Sequence, residues 1–157
     1  MKFLITILVC SWFFPQPGIQ AFSISGQAQG TTYHITYYAE DSLVKKVSVD
    51  SLFASIDSSL STYKPYSLIS QFNRSEKSVP ADRHLETVVR TSLEIWKATG
   101  GMSDLTVYPL VNAWGFGPVK PEQQPDSESI RKIMPCVGAG QLQLKEHVLW
   151  KEKPCVQ

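Results

Sequence analysis

Apolar positions along the chain switch between a period of two and a period of three to four, and each switch predicts an element. Between Gly26 and Ala39, Tyr33, Ile35 and Tyr37 alternate with His34, Thr36 and Tyr38 in a stretch rich in β-branched and aromatic residues. That predicts a strand with one wetter face. Gly26 and Gly30 flank its start; they can turn the chain tightly or gather backbone amides around a phosphate. From Asp41 to Thr62 the spacing changes, so that Val49, Leu52, Phe53, Ile56 and Leu60 share one helical face opposite Asp50, Ser51, Asp57 and Ser58. Pro65 disfavours helix at Lys64, which ends this element and predicts a loop from Tyr63 through Asn73.

A second helix follows Pro80, with Leu85, Val88, Val89, Ser92, Leu93 and Trp96 on one face, Asp82 near its start and Gly100-Gly101 closing it. Pro109, Gly115, Gly117, Pro118 and Pro121 then predict an ordered loop region. Asp126 or Ser127 can cap a short helix carrying Ile130, Ile133 and Met134. After Gly138 and Gly140, Leu142 and Leu144 alternate before a turn at Glu146-His147, with Val148 and Trp150 alternating after it, and this predicts a hairpin. No repeat of 20 to 50 residues interrupts the pattern. The fold class is α/β in the mixed, α+β sense.

Composition changes the picture at the amino terminus. Of 157 residues, 43% are hydrophobic and 18% charged, which suits a globular chain. Met1-Lys2 and the apolar run from Phe3 to Phe14, broken by Pro15, Pro17 and Gly18, read as an export signal too short for the roughly 20 residues of a membrane-spanning helix. Residues 1–21 are accordingly assigned to the signal, with cleavage after Ala21, and 22–157 to one domain. Val9 before Cys10 is not the small residue that lipidation requires, and Trp12-Phe13-Phe14 continue the apolar core past it, which argues against a lipid anchor. Lys2 is the sole charge of the signal, so the remaining 14 basic and 14 acidic residues cancel. No basic surface recommends nucleic acid as a partner. Cys136 and Cys155 remain as a pair that can bridge in an oxidising compartment or stand as two thiols.

The candidate chemistry lies in loops. Tyr63, Tyr66, Trp114 and Phe116 can stack on a planar ring or fill a core; Ser67, Ser70, Asn73 and Asn112 can meet its polar atoms or serve turns. Asp104, after the glycine stop and before Thr106, can accept from a sugar hydroxyl or hold an Asx turn. His34, His84 and His147 are scattered, so no metal spacing is present, and nucleophile-elbow, dinucleotide and phosphate-loop motifs are missing.

Three blocks in order, GQAQGTTYHITYYA from Gly26, STYKPYSLISQFN from Ser61 and TGGMSDLTVYPLVNAWGFGP from Thr99, resemble the amino-terminal half of the FAD:protein FMN transferase family. The resemblance covers essentially all of the chain after the signal, and its third block is the most specific. It implies an ApbE-like flavin transferase fold, of which this is the incomplete amino-terminal portion. It also implies an exported enzyme, in the periplasm or on the outer face of the inner membrane. Such an enzyme takes FAD as substrate with Mg²⁺ and attaches FMN to a threonine of an acceptor protein in a membrane electron-transfer complex, releasing AMP. Carried over by position, the flavin contacts fall on Gln29, Tyr63, Met102, Ser103 and Asp104. Gln29 departs from the family's methionine and puts an amide where a soft apolar contact is expected. The magnesium ligands and remaining flavin contacts belong to the carboxy-terminal half, so the resemblance implies an active full-length product and an inactive 157-residue chain. The competing reading is a shortened, noncatalytic flavin-binding or interaction module.

Overall fold

A computed structural model of the protein describes residues 18–118 and 120–157. Most of the expected export signal, Cys10 included, lies outside the described residues. The chain divides into two compact units between Val49 and Asp50.

In the first unit, β1 (Gln20–Ala28) and β2 (Thr31–Ala39) pair antiparallel in a hairpin. Gln29 and Gly30 both have positive φ, 52° and 79°, the left-handed pair that a two-residue hairpin turn needs to match strand twist. β2 carries the expected alternation, with Tyr33, Ile35 and Tyr37 less exposed than His34, Thr36 and Tyr38. The strand β1 is additional: it spans the expected cleavage boundary, and beyond it Phe22 and Ile24 alternate with Ser23 and Ser25, so Gly26 sits inside a strand and Gly30 in the turn. Gly26 faces Tyr33 across the pair, and a Cβ there would lie 2.7 Å from the tyrosine ring. The bare glycine lets that ring fold over the backbone. Phe22 stacks on Tyr37 with centroids 5.3 Å apart.

Helix α1 (Lys46–Leu60) begins later than the expected start at Asp41 and covers the whole apolar pattern from Val49 to Leu60. Val49, Phe53, Ile56 and Leu60 are partly covered, but Leu52 is exposed and Ser59 is the residue fully buried. Ser59 Oγ donates to Asp82 Oδ1 at 2.7 Å, and the same oxygen accepts from Leu85 N at 2.9 Å, capping α3 (Arg83–Ala98). Much of the expected loop from Tyr63 through Asn73 is helix α2 (Leu68–Arg74), and the short strand β3 (Ser78–Pro80) follows it before α3. Later, α4 (Tyr108–Ala113) and α5 (Ser127–Ile133) follow, the latter capped by Asp126, which accepts from Ser129 N at 2.8 Å. Those hydrogen bonds hold the Asp126 carboxyl below its usual pKa.

β4 (Leu142–Lys145) and β5 (Val148–Lys151) form the expected hairpin, with Glu146 and His147 both at positive φ. β3 joins β5 on its other edge, giving an antiparallel sheet of order β3-β5-β4. In β5 the inward positions are Leu149 and Lys151, while Trp150 points outward. The core of this unit gathers Phe72, Val79, Leu85, Val89, Leu142, Leu149 and Val156, each such burial contributing about 1.5–3 kcal/mol. The two cysteines are bridged: Cys136 and Cys155 are bonded, with Cα atoms 5.3 Å apart.

Candidate functional site

Pro65 and the capping of α2 create a rigid platform out of what the sequence presents as loop. Ser67 Oγ accepts from Ser70 N at 3.1 Å, as an N-cap, and donates to Ser61 O at 2.6 Å. Ser70 Oγ donates to the same carbonyl at 3.2 Å. Both serines are buried, so their hydroxyls serve the platform and leave no free group for a ligand. Gln71 Nε2 donates to Tyr66 O at 2.8 Å and Arg74 to Pro65 O at 2.5 Å. With its backbone tied at this many points, the segment still holds Tyr63 69% exposed and Tyr66 61% exposed. Neither ring packs in the core.

The second loop begins where Gly100 and Gly101, at φ 62° and 88°, carry the chain off α3 through two left-handed residues. Met102 emerges 91% exposed. Ser103 N donates to Thr99 Oγ1 at 3.2 Å, which fixes its backbone at the helix end. Asp104 is held from both oxygens. Its Oδ1 accepts from Thr106 N at 2.8 Å and Thr106 Oγ1 at 2.6 Å, and its Oδ2 accepts from Ala139 N at 2.9 Å. Thr106 Oγ1 also accepts from Gly138 N at 2.7 Å, and Thr106 is fully buried. The Asx turn expected of Asp104 is thus present, and it reaches 35 residues along the chain to a second segment. No local pattern signals that reach.

Beyond α4, Trp114 and Phe116 are exposed, Phe116 at 78%, so the aromatic residues of this block are displayed rather than packed. Asn112 lies against Gly117. A Cβ at Gly117 would overlap Asn112 Oδ1 and come within 3.3 Å of its Cα, so Gly117→Ala should displace the asparagine and destabilise the loop by about 1–2 kcal/mol, the usual cost of forcing atoms into a filled site. Chemical denaturation of the variant checks this.

Met102, Ser103 and Asp104 therefore form one continuous, anchored surface segment, and Tyr63 stands on a separate platform of the same unit. Gln29 occupies the β1–β2 turn of the other unit, exposed and at positive φ. Among the described residues no three His, Cys, Asp or Glu side chains converge as metal ligands. His84 meets Ser55, and His147 pairs with Glu86. Also among the described residues, no helix is long and apolar enough to cross a membrane.

The model of the ApbE family matches residues 29–157. The chain is 31% identical over 138 residues to an FAD:protein FMN transferase of Haemophilus influenzae, an alignment spanning 82% of this chain and 40% of that protein. It is 33% identical to one of Vibrio cholerae, over 83% of this chain and 41% of the relative. Among solved structures, the flavin transferase ApbE from Vibrio cholerae superposes with a TM-score of 0.81 at 29% identity, covering 88% of this chain and 47% of its own. The apo flavinyl transferase ApbE of Pseudomonas stutzeri gives 0.76 at 28% identity, covering 87% and 46%. This chain thus spans about half the length, or somewhat less, of the proteins it matches.

Proposed function

The chain belongs to the ApbE family, and from that premise we propose that it supplies the amino-terminal half of the flavin site of an FAD:protein FMN transferase. The full-length product transfers FMN from FAD to a threonine of an acceptor protein and releases AMP. In that reaction the threonine oxygen bonds to the FMN phosphorus while the pyrophosphate bond to AMP breaks, AMP leaving with the electron pair and the hydroxyl proton passing to the AMP phosphate or solvent. The observation that carries the reading is the pairing of exposed apolar groups with immobilised backbone. Tyr63 and Met102 are presented to solvent on segments tied by the Ser67–Ser61 and Ser103–Thr99 hydrogen bonds, an arrangement suited to holding a flat ring by stacking. Asp104, fixed in orientation by Thr106 and Ala139, is set to accept from a flavin or ribityl donor through its remaining lone pairs.

Among the described residues no three His, Cys, Asp or Glu side chains converge on a common point, and we assign none of them to magnesium. No step is assigned to a metal here; we place its ligands in the remaining half of such a protein. We further propose export by residues 1–21 ahead of the domain 22–157, and work in the periplasm or on the outer face of the inner membrane. The Cys136–Cys155 bond supports an oxidising compartment. The acceptor is then a threonine-bearing protein of a membrane electron-transfer complex.

Incubating the full-length product with FAD, Mg²⁺ and a threonine-containing acceptor should give covalently bound flavin, read as in-gel fluorescence and as an FMN increment in the acceptor's mass. Asp104→Ala should reduce FAD affinity about tenfold, the scale of one hydrogen bond to a charged group. No transfer to a competent acceptor rejects the enzyme. FAD binding without transfer favours a noncatalytic flavin-binding module, a second reading that the contiguous core around Phe72 and Leu149 supports.

A further inference from the structure

The segment from Met134 to Gln141 is held by ties from opposite directions. Toward the Asp104 loop, Gly138 N donates to Thr106 Oγ1 at 2.7 Å and Ala139 N to Asp104 Oδ2 at 2.9 Å. In the other direction, Cys136 is bonded to Cys155, and Lys153 Nζ donates to Pro135 O at 2.9 Å. The residues flanking Cys155 are themselves fixed: the carbonyls of Pro154 and Val156 accept from the buried Lys151 ammonium at 2.9 and 3.0 Å. That ammonium also takes the Phe72 carbonyl at 2.9 Å, at the end of α2. Met134 and Pro135 are exposed, and no residue from 134 to 137 belongs to the core cluster. The covalent bond holds the amino-terminal side of the Gly138 and Ala139 amides, while the buried Ala139 side chain and the core residue Leu142 hold the other side.

We propose that the Cys136–Cys155 bond is a redox latch on the Asp104 loop. Closed, it holds the Cys136 side of the segment so that both amides meet Thr106 and Asp104; open, it frees that side and loosens both donations. Cys155 is exposed and Cys136 half-buried, so a dithiol reductant reaches the bond. A reductant thiolate attacks Cys155 Sγ, the S–S bond breaks with its electron pair on Cys136 Sγ, and the second reductant thiol resolves the mixed disulfide. The dithiol ends oxidised to a disulfide, and each cysteine takes up one of the two protons it loses. Where Met102–Asp104 is the flavin loop proposed above, opening the latch also weakens flavin binding.

Amide hydrogen exchange on the full chain tests this with and without a dithiol. Exchange at Gly138 and Ala139 should accelerate at least about tenfold on reduction, while Val89 in α3 stays protected, because only a local opening is involved. The double variant Cys136→Ser, Cys155→Ser should reproduce the reduced pattern without reductant. Unchanged exchange when both thiols are alkylated overturns the latch. Equal acceleration at Val89 also overturns it, by making the bond a staple of the whole unit. FAD affinity, followed by flavin fluorescence, should fall about fivefold on reduction. Equal affinity in both states overturns the coupling to the site, whereas no FAD binding in either state counts against the flavin reading and leaves the latch to the exchange result.

Discussion

Lys151→Met should lower the unfolding free energy by about 3 kcal/mol and the melting temperature by about 10 °C or more. Lys151 is 3% exposed, and its ammonium donates to the carbonyls of Phe72, Pro154 and Val156, with Asn73 O more distant at 3.4 Å. It also stands 4.8 Å from the Phe72 ring centroid. Two effects oppose each other in the variant. Methionine removes a charge whose desolvation is unfavourable, and such exchanges are neutral or stabilising when nothing is left unpaired. Here the carbonyls stay. Phe72 O keeps donors from Ser75 N and Ser75 Oγ, but Pro154 O and Val156 O lose the donor that Lys151 provides. Orphaning the buried Val156 carbonyl costs about 1–3 kcal/mol and the part-buried Pro154 carbonyl adds less, so the loss wins. A change below about 0.5 kcal/mol in urea denaturation would mean that water replaces the ammonium.

The same residue fixes a pH dependence. Burial pushes the Lys151 ammonium below its ordinary pKa. Between that lowered value and about 10.4, the ordinary lysine value, the unfolded chain binds more protons than the folded one. Stability from this group therefore rises with pH across the window and falls again as pH drops through the folded pKa. The wild-type chain should gain on Lys151→Met as pH rises there, with exposed tyrosines common to both.

Where period and cap agree, the fold is legible in the sequence. Helix α3 has four turns of one apolar face, a capping Asp82 and a glycine stop, and the β4–β5 hairpin has alternation on both sides of a turn. Helix α2 escapes because seven residues give only Leu68, Ile69 and Phe72 as a face, among serines that read as loop. In α4, Pro109 looks like a breaker although proline is well placed in a first turn. β3 is three residues long and ends in proline, too little for any period. The site is less legible still. Asp104 and Thr106 are visible as an Asx pair, but their partners Gly138 and Ala139 carry only backbone amides, which no side-chain pattern marks. Exposure is equally hidden: Tyr63 and Phe116 have the composition of core residues, and only the folded chain shows them outside.

That hidden pairing makes Thr106→Val the most informative change at the site, with an expected cost of about 2–3 kcal/mol. Valine matches threonine in shape, so no cavity forms, and Thr106 is fully buried, so water does not replace the lost hydroxyl. Two bonds disappear together: the donation to Asp104 Oδ1 at 2.6 Å and the acceptance from Gly138 N at 2.7 Å. Asp104 keeps the Thr106 and Ala139 amides, yet loses its shortest contact, and its carboxylate gains freedom to turn. If the loop binds flavin, FAD affinity should fall about tenfold in Thr106→Val and recover in Thr106→Ser, which restores the hydroxyl and gives up only a methyl group. Denaturation and FAD titration of the two variants separate the contributions. Equal stability of Val and Ser would show that packing, and not the hydroxyl, joins the loop to Gly138. Recovery of stability without recovery of affinity would leave the clamp intact as a structural tie and remove Asp104 from the flavin site.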